Sequence, residues 1–190
     1  YAISIEYRLL PQNKGNTVFD CVKDGRSAVR YVRAHADELG IDPNRIVVTG
    51  GSAGGHVAAG TALFENVNDK QDDLQITCRP DALVLFYPVI DTSEKGYGQK
   101  KIGDRWQELS PVAHVKPGLP PTFVLHGTGD KVTPYSGAVE FHKKMQAAGN
   151  QCELIPHEGG RHGYFIFDLE LYEQAMTQTE KFLREEQMLP

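Results

Sequence analysis

At 190 residues, with 40% hydrophobic and 24% charged side chains, the chain has the length and composition of one globular domain with a substantial core. A net charge of -5 argues against a nucleic-acid partner, and the longest apolar run, residues 82–90, contains Pro88 and is too short to cross a membrane as a helix. Cys21, Cys78 and Cys152 stand far apart without metal-ligand spacing, so ordinary thiols are expected and no metal is implied.

Residues 2–7 alternate as a strand does, and Pro11, Asn13, Gly15 and Asn16 form the loop behind them. Thr17 is placed to cap a helix whose apolar positions Val18, Cys21/Val22, Ala28/Val29 and Val32 recur at helical spacing, ending near Gly40. Asp42-Pro43 turns the chain into a β-branched strand, residues 45–49, and a glycine-rich turn leads at once into a helix reaching about Asn66. Residues 68–73 are a polar surface loop. The continuous apolar run 82–87 reads as a strand buried on both faces. Residues 91–120 have no strong periodicity, and an irregular stretch of that length inside a compact domain is usually functional. A strand at 122–125, a helix at 136–148, a strand at 152–156 and a helix at 169–183 complete the chain. This alternation predicts an α/β fold, a mostly parallel sheet with helices on both faces, as one domain over 1–190. In such sheets catalytic groups collect at the carboxyl ends of the strands.

Gly50-Gly51-Ser52-Ala53-Gly54 lies between strand and helix and fits G-x-S-x-G, in which a strained turn pushes the serine hydroxyl out over the sheet. Two plainer readings stand beside it: a flexible Gly-Ser turn, and a phosphate loop, which His56 in place of the required Lys disfavours. A serine nucleophile needs a histidine to take its proton and a carboxylate to hold that imidazole. Asp130, after Gly127-Thr128-Gly129, and His162, before Gly163-Tyr164, follow other strands in the order Ser, Asp, His. His157 and Asp91 are rivals for the base and the carboxylate, and Asp91 equally suits a turn. His56 and His126, beside motif glycines, read as hydrogen-bonded structural histidines. His157-Glu158-Gly159-Gly160-Arg161 nearly spells a zinc-peptidase helix, but Arg161 replaces the second histidine and the glycines weaken a helix.

Tyr7-Arg8-Leu9, Gly40-Ile41-Asp42-Pro43, the turn from Gly50 to His56, Ser110-Pro111, His126-Gly127-Thr128-Gly129-Asp130 and His162-Gly163-Tyr164 together resemble the α/β-hydrolase superfamily, in its microbial esterase and lipase branch. The likeness runs to about Phe165. It implies acyl transfer without metal or organic cofactor, with Ser52 as nucleophile, His162 as general base and then acid, and Asp130 as orienting carboxylate. The backbone N–H of Ala53 is then one oxyanion donor. Lipases related to hormone-sensitive lipase usually carry Asp where Gly51 stands. The turn here is more similar to that of esterases removing acetyl or feruloyl groups from plant polysaccharides. The resemblance therefore implies a small-molecule ester or acylated carbohydrate as substrate, and no nucleic-acid or membrane partner. Gly51 and, on the 91–120 loop, Tyr97 and Trp106 are the candidate substrate contacts, although Trp106 equally suits a pin for a long loop.

Family members also carry a His-Gly-Gly type loop, the second oxyanion donor, upstream of the Tyr-Arg-Leu strand, and an earlier strand between those at 2–7 and 45–49. These 190 residues contain neither. The chain is therefore expected to be an N-terminally truncated catalytic domain, or one in which those two strands pair directly. Loss of one oxyanion donor costs about 3 kcal/mol, so slow ester hydrolysis is expected of these residues alone. The alternatives are an amide or peptide hydrolase on the same scaffold, disfavoured by Ala53 where the peptidases usually have an aromatic residue, and an inert fragment or binding module. Localisation is not encoded in these residues.

Overall fold

The computed structural model describes residues 1–10 and 15–189. Four strands form one parallel sheet in the order β1 (Val47–Gly51), β2 (Ala82–Phe86), β3 (Thr122–Gly127), β4 (Cys152–His157). Neighbouring strands are in register through Thr49 and Val84, Val84 and Phe123, and Val124 and Leu154. Parallel strands need crossovers, and α3 (Ala53–Leu63), α4 (Gln99–Ile102) and α5 (Tyr135–Ala147) lie in the three between consecutive strands, while α1 (Val18–Ala34) and α2 (Ala36–Leu39) precede β1 and α6 (Leu169–Glu185) follows β4.

Both faces of the central strands are covered, as the unbroken apolar run of β2 requires. Leu83, Leu85 and Val124 point to one side and pack with Val22 of α1, Ala58, Ala59 and Ala62 of α3 and Phe141 and Met145 of α5. Ala82, Val84, Phe123 and Leu125 point to the other and meet Ala175 and Phe182 of α6. The Phe123 and Phe182 rings stack at 5.1 Å.

Helix α1 starts where the Asp20 carboxylate accepts from the Thr17 N–H at 2.9 Å and the Thr17 hydroxyl at 2.8 Å, placing an anion at the positive end of the helix. The helical run breaks once at His35, and α2 closes on Gly40 at φ 65°. The buried face of α1 departs from the apolar stripe read in the sequence, because Gly25, Arg26 and Arg30 are buried in it while Ala28 is only partly so. Arg26 caps the end of α3 by donating to the carbonyls of Gly60 at 3.0 Å and Thr61 at 3.2 Å. Arg30 pairs with Asp72 at 2.7 Å and donates to Asn68 at 2.7 Å, tying down the polar 68–73 loop.

The predicted strand at 2–7 is not formed. Residues 1–9 adopt no helix or strand, and Tyr1, Ile3, Ile5 and Leu9 are exposed. A strand exists by its hydrogen-bond ladder, and β1 pairs only with β2 among the described residues. The direct pairing of 2–7 with β1 is therefore not observed. Arg8 alone is fixed, through bonds of 2.9 and 2.6 Å to Asp24 of α1. Of the loop expected behind the strand, Pro11 and Asn13 lie outside the described residues. The stretch 91–120 is more ordered than its lack of periodicity implied. It holds α4 and the 3-10 turns Gly103–Leu109 and Pro111–Ala113, with Leu109 and Val112 in the core.

Gly25 sets the approach of α1 to α3: a Cβ there would lie 2.4 Å from Val57 Cγ1. Alanine favours an isolated helix over glycine by about 1 kcal/mol, but overpacking a close-packed, β-branched contact costs about 1–3 kcal/mol. The expected result for Gly25→Ala is a net loss of about 1 kcal/mol, read as a lower urea midpoint with unchanged m-value.

Candidate active site

The carboxyl ends of β1, β3 and β4 bring three distant side chains together. Ser52 sits between β1 and α3 at φ 54°, ψ -117°, a strained conformation for a residue with a Cβ. Its N–H donates to Phe86 O at 3.0 Å and its carbonyl accepts from Val89 N at 3.1 Å, so the end of β2 clamps the turn. The flanking glycines are steric necessities: a Cβ at Gly50 would lie 2.4 Å from Gly54 O, and one at Gly55 2.8 Å from Pro88 Cβ.

The loop after β3 and the loop after β4 are laced backbone to backbone. Gly129 N–H donates to Gly160 O at 3.0 Å, Thr128 N–H to His157 O at 2.9 Å, and Gly159 N–H to the Thr128 hydroxyl at 2.8 Å. A Cβ on Gly127 would sit 2.2 Å from Gly160 O. This lacing carries His162 to Ser52 and Asp130. His162 Nε2 lies 2.9 Å from Ser52 Oγ, and Nδ1 lies 2.7 Å from Asp130 Oδ2. With Nδ1–H donating to the carboxylate, Nε2 is free to accept the serine proton.

Asp130 has no exposed side-chain surface, whereas His162 keeps 24% of its own. The other Asp130 oxygen accepts from the N–H groups of Val132 at 2.8 Å and Thr133 at 2.9 Å. Burial pushes this carboxyl up, but the bonds from His162, the Thr133 and Val132 backbone and the Thr133 hydroxyl outweigh it and hold it below the ordinary carboxylate range. Helix α3 begins at Ala53, whose N–H therefore has no acceptor within the helix.

The remaining sequence candidates divide cleanly. Gly51 packs beneath Tyr87, since a Cβ there would lie 2.9 Å from the Tyr87 hydroxyl. Tyr97 and Trp106 make no hydrogen bond or ring contact with Ser52, Asp130 or His162 among the described residues: the Tyr97 hydroxyl accepts from Lys101, and the Trp106 carbonyl accepts from the Thr92 hydroxyl. The rival base His157 is stacked flat on Tyr164 at 4.3 Å. Asp91 accepts from the N–H and hydroxyl of Ser93, as a turn residue does. His56 bonds the Leu109 carbonyl and His126 the Thr133 carbonyl, both at 2.7 Å and both buried.

Two residues of the site escaped the sequence reading. Tyr87, just past β2 at φ 37°, lays its ring edge-on to His162 at 4.9 Å. Thr133 presents its hydroxyl to Asp130 Oδ2 at 2.9 Å. The usable signals were their places, one residue beyond a strand end and three residues after a capping aspartate. Among the described residues no three His, Cys, Asp or Glu side chains group as metal ligands.

The parallel sheet, the strained strand-to-helix serine and the order Ser, Asp, His are those of an α/β-hydrolase. The BD-FAE family model matches residues 1–145, and the chain belongs to this α/β-hydrolase esterase family. Esterase 2 of Thermogutta terrifontis, in the form phosphoramylated by tabun, superposes with a TM-score of 0.91 at 39% identity, over 97% of this chain and 70% of that one. The probable carboxylic ester hydrolase LipM of Mycobacterium tuberculosis is 31% identical over 167 residues, 78% of this chain and 38% of LipM. The acetylxylan esterase of Xylanibacter ruminicola is 27% identical over 159 residues, 75% of this chain and 31% of the esterase. The chain thus spans less than half the length of these two curated relatives.

The two buried histidines give the site an acid sensitivity of definite sign. Burial lowers both His56 and His126 from 6.5, against the opposing pull of their carbonyl bonds. Below pH 6.5 the unfolded chain takes up protons that the folded chain refuses, so stability is complete above that pH and falls as pH drops. Asp130, lowered from 3.8, adds a loss of the same sign at more acid pH. Unfolding free energies from urea titrations between pH 7 and 5 should fall by up to about 1.4 kcal/mol per pH unit for each histidine. His56→Gln should remove about half of that slope, and a flat profile would contradict the assignment of both rings as neutral.

Proposed function

We propose that residues 1–190 belong to the catalytic domain of a serine esterase that cleaves small carboxylic esters through an acyl-serine intermediate. The observation that supports this most directly is the unbroken hydrogen-bond chain from Ser52 Oγ through both nitrogens of His162 to a buried, ionised Asp130. As the Ser52 oxygen attacks the ester carbonyl, His162 Nε2 takes its proton, and Asp130 stabilises the resulting imidazolium. Negative charge developing on the carbonyl oxygen is met by the Ala53 N–H at the start of α3. His162 then gives its proton to the departing alcohol. In the second half it takes a proton from water, whose oxygen attacks the acyl group, and returns that proton to Ser52 Oγ as the acyl–oxygen bond breaks and the acid leaves.

A short acyl group is favoured. The related Thermogutta esterase has been solved with propionate bound and with butyrate bound, and Tyr87 crowds Gly51 beside the nucleophile. An acylated carbohydrate is the alcohol side suggested by the acetylxylan esterase relative. Ile166, half exposed beside Gly163 and the Tyr87 ring, offers an apolar rim for that side.

A fluorophosphonate should label the wild-type chain at one serine and leave Ser52→Ala unlabelled. On p-nitrophenyl acetate, propionate and butyrate the wild type should act where p-nitroanilides are inert, and Asp130→Asn should lower kcat by about 10⁴ through the wrong imidazole tautomer. Labelling that survives Ser52→Ala removes the reading.

A further inference from the structure

The Thr133 hydroxyl occupies the point where the ends of β2, β3 and β4 meet. Its oxygen lies 2.9 Å from Asp130 Oδ2, 3.2 Å from Tyr87 O, 3.2 Å from His162 Nδ1 and 3.5 Å from His126 Nε2. Thr133 itself is 3% exposed. We propose that Thr133 is a positioning residue of the esterase site, whose hydroxyl selects the carboxylate oxygen of Asp130 that faces His162 and sets how strongly that carboxylate holds the imidazolium. The inference rests on the serine-esterase reading.

A hydroxyl has one proton to give and two lone pairs to offer. The Asp130 carboxylate and the Tyr87 carbonyl can only accept, and the shorter, charged acceptor is Asp130 Oδ2. His162 Nδ1 carries the hydrogen aimed at the same oxygen, so the Thr133 oxygen receives the weaker branch of that N–H. The His126 N–H is already spent on the Thr133 carbonyl at 2.7 Å. Oδ2 thus holds two short bonds, from His162 and from Thr133. Oδ1 holds two more from the backbone of Val132 and Thr133. With four donors on two oxygens, the carboxylate has no freedom to turn away from the imidazole. Valine has the shape of threonine without the proton, and would leave a methyl group against Oδ2.

The loss has two separable consequences. Orientation of His162 becomes less strict, which lowers turnover without weakening substrate binding. In addition, Oδ2 recovers the charge that the hydroxyl had drawn off, so it holds the imidazolium more tightly and the base becomes harder to deprotonate. The groups facing this pair are His126 from β3, Tyr87 from the end of β2 and Ser52 from the elbow. Burial keeps His126 neutral, and burial also pushes the Tyr87 hydroxyl up.

The test compares wild type, Thr133→Val, Thr133→Ser and Ser52→Ala in two assays across pH: hydrolysis of p-nitrophenyl acetate, and the rate of fluorophosphonate labelling. Thr133→Val should lower kcat about tenfold with KM unchanged within about twofold. The acid limb of both profiles should move to higher pH by about half a unit, and Thr133→Ser should restore rate and limb. A Thr133→Val variant with wild-type kcat and limb overturns the proposal, and so does a Thr133→Ser variant as impaired as Thr133→Val, since packing would then be the cause. Should circular dichroism show Thr133→Val unfolded, Thr133→Ala against Thr133→Ser carries the same comparison. A wild type that neither hydrolyses the ester nor takes the label defeats the esterase reading and this inference together. A labelled wild type with an unaffected Thr133→Val defeats this inference alone.

Discussion

The geometry of this site depends on backbone approaching backbone more closely than any side chain allows. Gly127 meets the Gly160 carbonyl and Gly50 meets the Gly54 carbonyl at distances where even one methyl group would collide. Those contacts let the loop after β3 lie on the loop after β4, and let a helix start one residue past a strand. If the loops stood off by the width of a Cβ, the 2.7 and 2.9 Å bonds of His162 would not form. The sheet supplies direction, with all carboxyl ends on one rim. The glycines supply the last ångström.

Electrostatics then separates two histidines that flank one carboxylate. His126 and His162 both approach Asp130 Oδ2, at 3.4 and 2.7 Å. His126 is fully buried and spends its Nε2–H on the Thr133 carbonyl, so desolvation keeps it neutral and it serves as a strut. His162 keeps a solvent-facing edge and its second nitrogen reaches the serine. The same residue type at two depths thus does different work, and only the exposed one can exchange a proton with a substrate.

Much of this was legible in the sequence because it is written in local rules. Ser52 is marked by glycines that a strained turn needs, and Asp130 and His162 by their places after apolar runs. The strand at 82–86 announces itself by an unbroken apolar run, and those at 122–127 and 152–157 by short apolar cores, Phe123 to Leu125 and Leu154-Ile155. What was not legible depends on partners. The alternation at 2–7 is a strand pattern, but a pattern without a ladder forms no strand. Arg26 and Arg30 break the apolar stripe of α1, and nothing in that helix reveals that their guanidinium groups cap α3 and hold the 68–73 loop. Thr133 and Tyr87 are ordinary letters until the fold brings a carboxylate and an imidazole against them.

Gly51 shows how such a partner changes the meaning of a motif. The absence of a side chain here can be mistaken for simple looseness. The structure gives a cause: the ring of Tyr87, turned inward at positive φ, fills the space where a Cβ would begin. The same ring touches His162 edge-on, and the carbonyl of the same residue lies 3.2 Å from the Thr133 hydroxyl oxygen, farther than the Asp130 carboxylate that takes its proton. Gly51, Tyr87 and Thr133 therefore form one steric and hydrogen-bonded unit. A change at any of them bears on the imidazole, so the room for a side chain before the nucleophile is set by a residue just past β2 as well as by the turn itself.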